Sequence, residues 1–422
     1  MTLMTLMTLF TTLLANSGAV ALLMLTLLLA PGSVQAAAAP DAKGSLVIIG
    51  GALRADNAQV WQRIVGLAGG PGARIAVIPA AAANPQQSGN RLVQTLGEHG
   101  AAAFLLPLAP RLPGDVHQAA NDPLLAAAVR SAGGAYFSGG DQGRITHALR
   151  NPDGSNTLVL DALWDLYRRG GVIAGSSAGA AIMSSTMFYD AKPVLATLQL
   201  GVEDGRDIAP GLGFIGDDVF IDQHLLVRGR FARMLPVMLK KGYRLGLGID
   251  ENTAAVIGPG RDVEVIGYKG ALLLELSRAS VDSSQAGFNV ANAAISYLDS
   301  GDRFNLASGV LTPSADKAGG KLDAARPAHP TRPAPLFCAD ILGNSAVTDL
   351  MAKLIDSDQD QAIGLAFGGP QQGAAKPGFE FRFSRGVHSV GYASATAESS
   401  SVYRLRLDVR PIDLGWPAYP YR

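Results

Sequence analysis

The sequence has a single cysteine in 422 residues, Cys338, so no intrachain disulfide can staple it. No His- or Asn-bearing motif surrounds that thiol, and we expect a buried spectator rather than a nucleophile. There is no H-E-x-x-H, no C-x-x-C and no G-x-x-x-x-G-K-[ST], so nothing calls for a metal or a bound phosphate. Gly50-Gly51 closes an apolar run, but no further glycine in register completes G-x-G-x-x-G, and a dinucleotide cofactor is discounted. An excess of one charge is missing as well. The 35 basic side chains balance 35 acidic ones, which argues against a nucleic-acid partner. We expect no cofactor, no metal and no nucleic acid.

Residues 1–42 contain no Lys or Arg. They do contain a dense apolar run, Leu22–Ala30, broken by Pro31-Gly32 and followed by Val34-Gln35-Ala36, a small-x-small cleavage pattern. We expect residues 1–36 to be a cleaved signal peptide, making the mature protein secreted or periplasmic. The missing basic n-region departs from the usual pattern, and an uncleaved anchor is the alternative. The apolar run is short for a comfortable span.

Hydrophobic residues make up 48% of the chain, enough for a large core. Short apolar runs at Ser45–Gly51, Arg74–Ala80, Ala103–Leu108 and Ala135–Ser138 read as strands. Helical spacing separates them at Asn57–Ala68, Arg91–His99, Pro123–Ser131 and Leu158–Arg169. Alternation of this kind predicts an α/β fold with a mostly parallel sheet and helices on both faces. Ligands then bind beyond the carboxyl ends of the strands, where Gly50-Gly51, Gly139-Gly140 and Gly175–Gly179 would gather. Further on, Asp218–His224 reads as a strand, Arg230–Lys240 as a helix and Leu245–Val256 as a strand pair or hairpin with an acidic bend. Residues 313–336, rich in Ala and Pro, read as an exposed linker. From 337 to 422 we expect a small α+β appendage, with a helix at Ser345–Ile355 and strands at Phe379–Phe383 and Val402–Val409.

Gly175-Ser176-Ser177-Ala178-Gly179 has the G-x-S-x-G form of a nucleophile elbow, with a Gly/Ala-rich turn of no chemical role as the bland alternative. An activated serine needs a base and an orienting acid. Of the six histidines only His224 ends a strand-like run in the core. Asp222, Asp250 and Glu251 are candidate acids. The order serine, histidine, acid does not fit an α/β-hydrolase, whose histidine comes last. Arg228, Arg230 and Arg233 either form a solvated helix face or clamp substrate carboxylates by bidentate pairing.

Four ordered motifs then carry a resemblance: F-S-G-G-D-Q at Phe137–Gln142, G-S-S-A-G-A at Gly175–Ala180, D-Q-H-x-x-x-R-x-R-x-x-R at Asp222–Arg233 and G-I-D-E-N-T at Gly248–Thr253. Over residues 44–312 the chain resembles the cyanophycinase family, with its signal segment similar to the secreted members. The resemblance implies a fold similar to class I glutamine amidotransferases and peptidase E. It implies a serine exopeptidase that cuts cyanophycin, a poly-aspartate bearing arginine on each β-carboxyl, into β-Asp-Arg dipeptides. Ser177 then matches the nucleophile, His224 the base and Glu251 the acid. Gln142, Asp222, Gln223, Arg228, Arg230 and Arg233 match substrate-cleft positions. We expect the N–H of Ala178 and one near Gly140 or Asp141 to hold the oxyanion, and a cyanophycin or Asp-rich peptide substrate on a homodimer. Asn151–Asn156 is an insertion relative to the motif order. An α-aspartyl dipeptidase and an inert secreted binding protein are the rival readings.

Overall fold

The computed structural model describes residues 43–322, 335–368 and 378–413. The expected signal peptide, 1–36, lies outside the described residues, as do positions 323–334 of the expected linker. The first half of the chain runs β1 (Ser45–Ile49), α1 (Ala58–Leu67), β2 (Arg74–Ile78), α2 (Pro85–Glu98), β3 (Ala102–Leu105), α3 (Val116–Ala120), α4 (Pro123–Arg130) and β4 (Gly134–Phe137). It continues through α5 (Gln142–Leu149), α6 (Leu158–Arg168), β5 (Val172–Ser176) and the single turn α7 (Ala178–Ala181). Side chains start these helices where the backbone N–H groups lack partners. Asn84 caps α2 ahead of Pro85, Asp141 accepts from Gly143 N at α5, and Thr157 accepts from Leu160 N at α6.

The middle and end of the chain supply β6 (Thr186–Phe188), α8 (Val194–Leu200), β7 (Ile208–Pro210), β8 (Val219–Gln223), α9 (Phe231–Lys241), β9 (Leu245–Ile249), β10 (Thr253–Ile257), β11 (Asp262–Gly267) and β12 (Ala271–Glu275). Then follow β13 (Val290–Leu298), β14 (Arg303–Asn305), β15 (Leu311–Thr312), β16 (Leu336–Cys338), α10 (Ala346–Ile355), β17 (Gln361–Ala366), β18 (Gly378–Ser384), β19 (Val390–Ala393) and β20 (Ser400–Ile412).

Two large sheets result. The first has the order β15-β14-β11-β10-β1-β5-β4-β2-β3. Its strands β1, β5, β4, β2 and β3 are parallel, as their continuous apolar character predicts. The other half is antiparallel, which extends the parallel core into a mixed sheet. The second sheet has the order β16-β17-β18-β20-β13-β12-β9-β8, with β19 on β20. One core cluster joins Leu46, Ile48 and Ile173 of the first sheet to Ile221, Leu247 and Leu273 of the second. Val47 and Ile49, which alternate with the first two, pack instead against Val60, Trp61 and Ile64 of α1. The outer face of the second sheet is covered by α9 and α10.

Two expectations change. The run Leu245–Val256 is no hairpin: β9 lies in the second sheet and β10 in the first, and the bend Asp250–Asn252 carries the chain between them. The segment after 336 holds the expected helix and strands, yet it does not stand apart. β20 pairs with β13 and β18, and Phe379, Phe381 and Phe383 are fully buried in the core under α9 and α10. The start of the expected linker is packed too. Lys317 is fully buried, ion-paired with Asp302 at 2.9 Å, and Asp302 also accepts from Ser401 on β20. Cys338 on β16 is a free, half-buried thiol rather than a buried one.

The C-terminal strands should therefore be indispensable. Emptying one buried Phe site costs about 3–5 kcal/mol, and a domain's whole stability is roughly 5–15 kcal/mol. Deleting residues 336–422 removes three such side chains with their strands. The truncated chain should show no cooperative thermal transition by circular dichroism; a sharp melt would make this segment an independent appendage after all.

Candidate active site

The site forms where the carboxyl end of β1 meets both sheets. Three successive carbonyls there each take one backbone N–H. Ile49 O accepts from Ser177 at 3.0 Å, Gly50 O from His224 at 2.8 Å and Gly51 O from Asn252 at 2.8 Å. Three segments distant in sequence are so fixed on one strand end.

Ser177 follows β5 and opens α7 with φ 55° and ψ −107°, a strained position for a side chain that bears a Cβ. The flanking glycines serve contact rather than unusual dihedrals. A Cβ on Gly175 would overlap Gly179 O, and one on Gly179 would lie 2.6 Å from Phe137 O. The elbow packs on itself and on β4, and the serine alone carries the strain. Its Oγ lies 2.8 Å from His224 Nε2, and His224 Nδ1 lies 2.6 Å from Glu251 Oε1. Of the three candidate acids, the structure selects Glu251. Asp250 is fully buried and accepts from the N–H groups of Leu226 and Val227 while pairing with Lys269 at 2.8 Å. It thus holds the turn that follows His224.

Burial lowers the His224 pKa first, Glu251 raises it, and the cations of Arg228 and Arg230 lower it again. The net direction is down, so the imidazole is neutral and able to accept a proton at neutral pH. Ala178, at the start of α7, and Gly140, which follows Gly139, make no backbone hydrogen bond among the described residues through their N–H groups. Gly139 is close enough that a Cβ on it would lie 3.3 Å from Ser177 Cβ. These two amides suit an oxyanion. Asp141 does not: its N–H donates to Ala81 O at 3.0 Å and its carboxylate caps α5.

The arginine run divides. Arg228 is exposed. Arg230 is half-buried and donates to Gln223 O at 3.0 Å and Gln223 Oε1 at 2.7 Å; burial first, then repulsion from Arg233, pulls it down to about 10, still charged at neutral pH. Arg233 is buried, stacks over Phe188 and grips Asp222 with two bonds of 2.7 Å. The expected roles of Asp222 and Arg233 in meeting substrate charges are therefore corrected: each already satisfies the other. Removing one partner of such a pair costs about 3–5 kcal/mol. Gln142 is likewise occupied in part, since its Nε2 donates to the carbonyls of Phe188 at 2.8 Å and Tyr189 at 3.1 Å. The insertion Asn151–Asn156 is a tight turn closed by an Asn151 N–H to Ser155 O bond of 2.9 Å.

Sequence reasoning missed two residues. Tyr189 is half exposed and lies against Gly143 at the start of α5. It belongs to no motif. The sequence places Gly51 at the ligand-binding strand edge but gives it no role toward His224. It has φ +118°, and a Cβ there would sit 2.5 Å from His224 Nε2 and closer still to Cε1. Among the described residues, no three His, Cys, Asp or Glu side chains gather as a metal site.

Two outcomes follow from this geometry. Gly51→Ala should displace the imidazole and cut the reaction of Ser177 with a fluorophosphonate at least about a hundredfold, the scale of losing a general base. An unchanged labelling rate would show that His224 does not serve Ser177. The labelling rate of the unaltered protein should rise with pH through a midpoint below the ordinary imidazole value. Arg228→Gln removes a nearby cation that disfavours the imidazolium, so this midpoint should move up; a downward shift would contradict the assigned electrostatics.

Comparison with known proteins shows the family of the chain. Residues 46–258, just over half of the chain, match the model of peptidase family S51. A cyanophycinase of Geminocystis herdmanii is 31% identical over 274 residues, covering 62% of this chain and 94% of that protein. A cyanophycinase of Trichormus variabilis is 29% identical over 286 residues, with 65% and 90% covered. A cyanophycinase of Synechococcus elongatus is 28% identical over 271 residues, with 63% and 80% covered. The matched region holds β1, the elbow, His224 and Glu251, which is the whole of the hydrogen-bonded line, and the chain belongs to peptidase family S51.

Proposed function

We propose that this protein is a serine-type exopeptidase acting on cyanophycin and releasing β-Asp-Arg dipeptides. The observation that carries the reading is the line Ser177 Oγ, His224 Nε2, His224 Nδ1, Glu251 Oε1, with steps of 2.8 and 2.6 Å. As Ser177 Oγ bonds to the backbone carbonyl carbon of an aspartyl residue, its proton passes to His224 Nε2. Glu251 holds the imidazole with Nδ1 protonated and stabilises the imidazolium that forms. The N–H groups of Ala178 and Gly140 meet the oxyanion. His224 then gives its proton to the leaving amine, and water, activated the same way, releases the acyl group.

Substrate choice rests on Arg228 and Arg230. Each cyanophycin repeat carries the free α-carboxylate of its arginine, and the action of both cations on His224 supports their meeting such carboxylates. Arg230 keeps its charge, and its fork is steadied by Gln223. The substrate guanidinium cannot use Asp222, which is taken by Arg233. The exposed ring of Tyr189 offers a cation–π face instead. Three relatives named cyanophycinase support the substrate class.

The test is incubation with insoluble cyanophycin and mass analysis of what dissolves. β-Asp-Arg as the first and main product is expected. Longer fragments would make the enzyme an endopeptidase, and an untouched polymer would refute the substrate. Ser177→Ala should lower the rate about a thousandfold or more. Retention above about a tenth would shift the nucleophile to the neighbouring Ser176.

A further inference from the structure

The strands after residue 336 lie outside the family-matched residues and carry a second charged surface. Along β18, Phe379, Phe381 and Phe383 face the core, so Glu380, Arg382 and Ser384 take the opposite face. Across the pair with β20, Glu380 stands opposite Arg410, Arg382 opposite Asp408 and Ser384 opposite Arg406. Charge therefore alternates along both strands and across them. The groups interlock: Arg382 and Arg410 each reach Glu380 at 3.0 Å, and Arg406 reaches Asp408 at 3.2 Å. The loop from Ser280 to Asn289 forms a wall beside this face, and the two enclose an open cleft of about 380 Å³ with Glu380, Arg382, Asp408 and Arg410 in its lining. Surface ion pairs by themselves contribute little. Here Glu380 is recessed, its side chain only 13% exposed, while the Arg410 side chain stays 53% exposed.

We propose that this cleft is a second binding site, which holds a stretch of zwitterionic polymer away from the bond being cut. The inference rests on the cyanophycin reading above. Each repeat of that polymer carries one guanidinium and one free carboxylate, so it offers both signs at every step, as the cleft does. The spacings agree as well. Residues on one face of a strand are about 6.8 Å apart, and side groups on one side of an extended aspartyl backbone recur at roughly the same interval. A chain laid along β18 and β20 keeps its charges in step with the two cross-strand pairs that line the cleft, Glu380 with Arg410 and Arg382 with Asp408.

Position completes the argument. β20 is separated from β8, which leads into His224, by β13, β12 and β9 of the same sheet. Four strand spacings amount to roughly 19 Å; the cleft, at Val290 and Val409, also lies eight residues along β13 from the Leu298 end that aligns with Ala271, Ile249 and Gln223. Those eight residues add about 27 Å along the strands, so the separation is roughly 33 Å, which about ten extended residues cover. A long polymer reaches both sites and binds the second as a tethered ligand, whereas a product-sized fragment reaches one.

The experiment uses Glu380→Gln, Arg382→Gln and Arg410→Gln together, so that none of these three ion-paired groups is left without its partner, while Asp408 keeps Arg406. In a Ser177→Ala background this triple variant should co-sediment with insoluble cyanophycin about tenfold less than its parent. With Ser177 intact, it should cleave a soluble oligomer of two or three repeats at the parental rate and dissolve the insoluble polymer about tenfold more slowly. Arg410→Gln alone, at an exposed position, should give a smaller loss of the same kind and covers the case of a misfolded triple variant. Equal co-sedimentation of parent and variant overturns the cleft, and so does an equal loss of rate on oligomer and polymer. A parent that neither binds nor dissolves the polymer overturns the substrate reading and the cleft with it. A parent that dissolves the polymer no faster than the triple variant overturns the cleft alone.

Discussion

The end of β1 is the constraint on which the rest of the site depends. Ile49, Gly50 and Gly51 present three carbonyls in a row, and each accepts from the segment that carries, or adjoins, a different member of the hydrogen-bonded line. β1 sits in the middle of the first sheet, flanked by β5 and β10, with both faces buried. It is among the least mobile places a strand can occupy. The second sheet contributes His224 and the bend after β9, so the line exists only while both sheets stay docked across their shared core. That core includes Leu46, Ile48, Ile221, Leu247 and Leu273, each buried and aliphatic.

This anchoring offsets local strain. Ser177, His224 and Asn252 all have φ between 52° and 55°, a region costly for residues with a Cβ. Each costs on the order of 1–3 kcal/mol, and each is fixed by the backbone bond to β1. The buried charges have a similar positional role. Asp222 and Arg233 join the last residues of β8 to the first turn of α9, and Asp250 holds the turn between them through two backbone N–H groups. The base is thus bracketed on both sides by carboxylates that never touch it.

Much of this was legible in the sequence. Apolar runs buried on both faces declared the parallel strands, and chain order alone separated the serine, histidine and acid from the α/β-hydrolase pattern. Gly50-Gly51, Gly139-Gly140 and the elbow did gather at one edge. What escaped has physical reasons. Leu245–Val256 reads as a hairpin because sequence proximity suggests pairing, yet three residues suffice to cross from one sheet to another. Residues 337–422 read as an appendage because the Pro-rich stretch before them resembles a domain boundary. Only the pairing of β20 with β13 reveals that they complete the second sheet. Long-range pairing of this kind leaves no local mark.

The arginine run shows why neither sequence-level alternative was sufficient. Three like charges within six residues would be unfavourable if they shared one environment. The fold gives each a different one: water for Arg228, the carbonyl and amide of Gln223 for Arg230, and the Asp222 carboxylate for Arg233. The first two remain near His224, and their field opposes that of Glu251 on the imidazole. The acid alone would raise the proton affinity of the base and leave less of it free to accept a proton. Burial and the two cations alone would leave the imidazolium unsupported when it forms. With all three acting, the resting imidazole is neutral while its Nδ1 proton already points at a carboxylate. The same two cations that would bind substrate carboxylates therefore also help set the proton affinity of the base, so filling the cleft with negative charge would raise that affinity as the proton transfer begins.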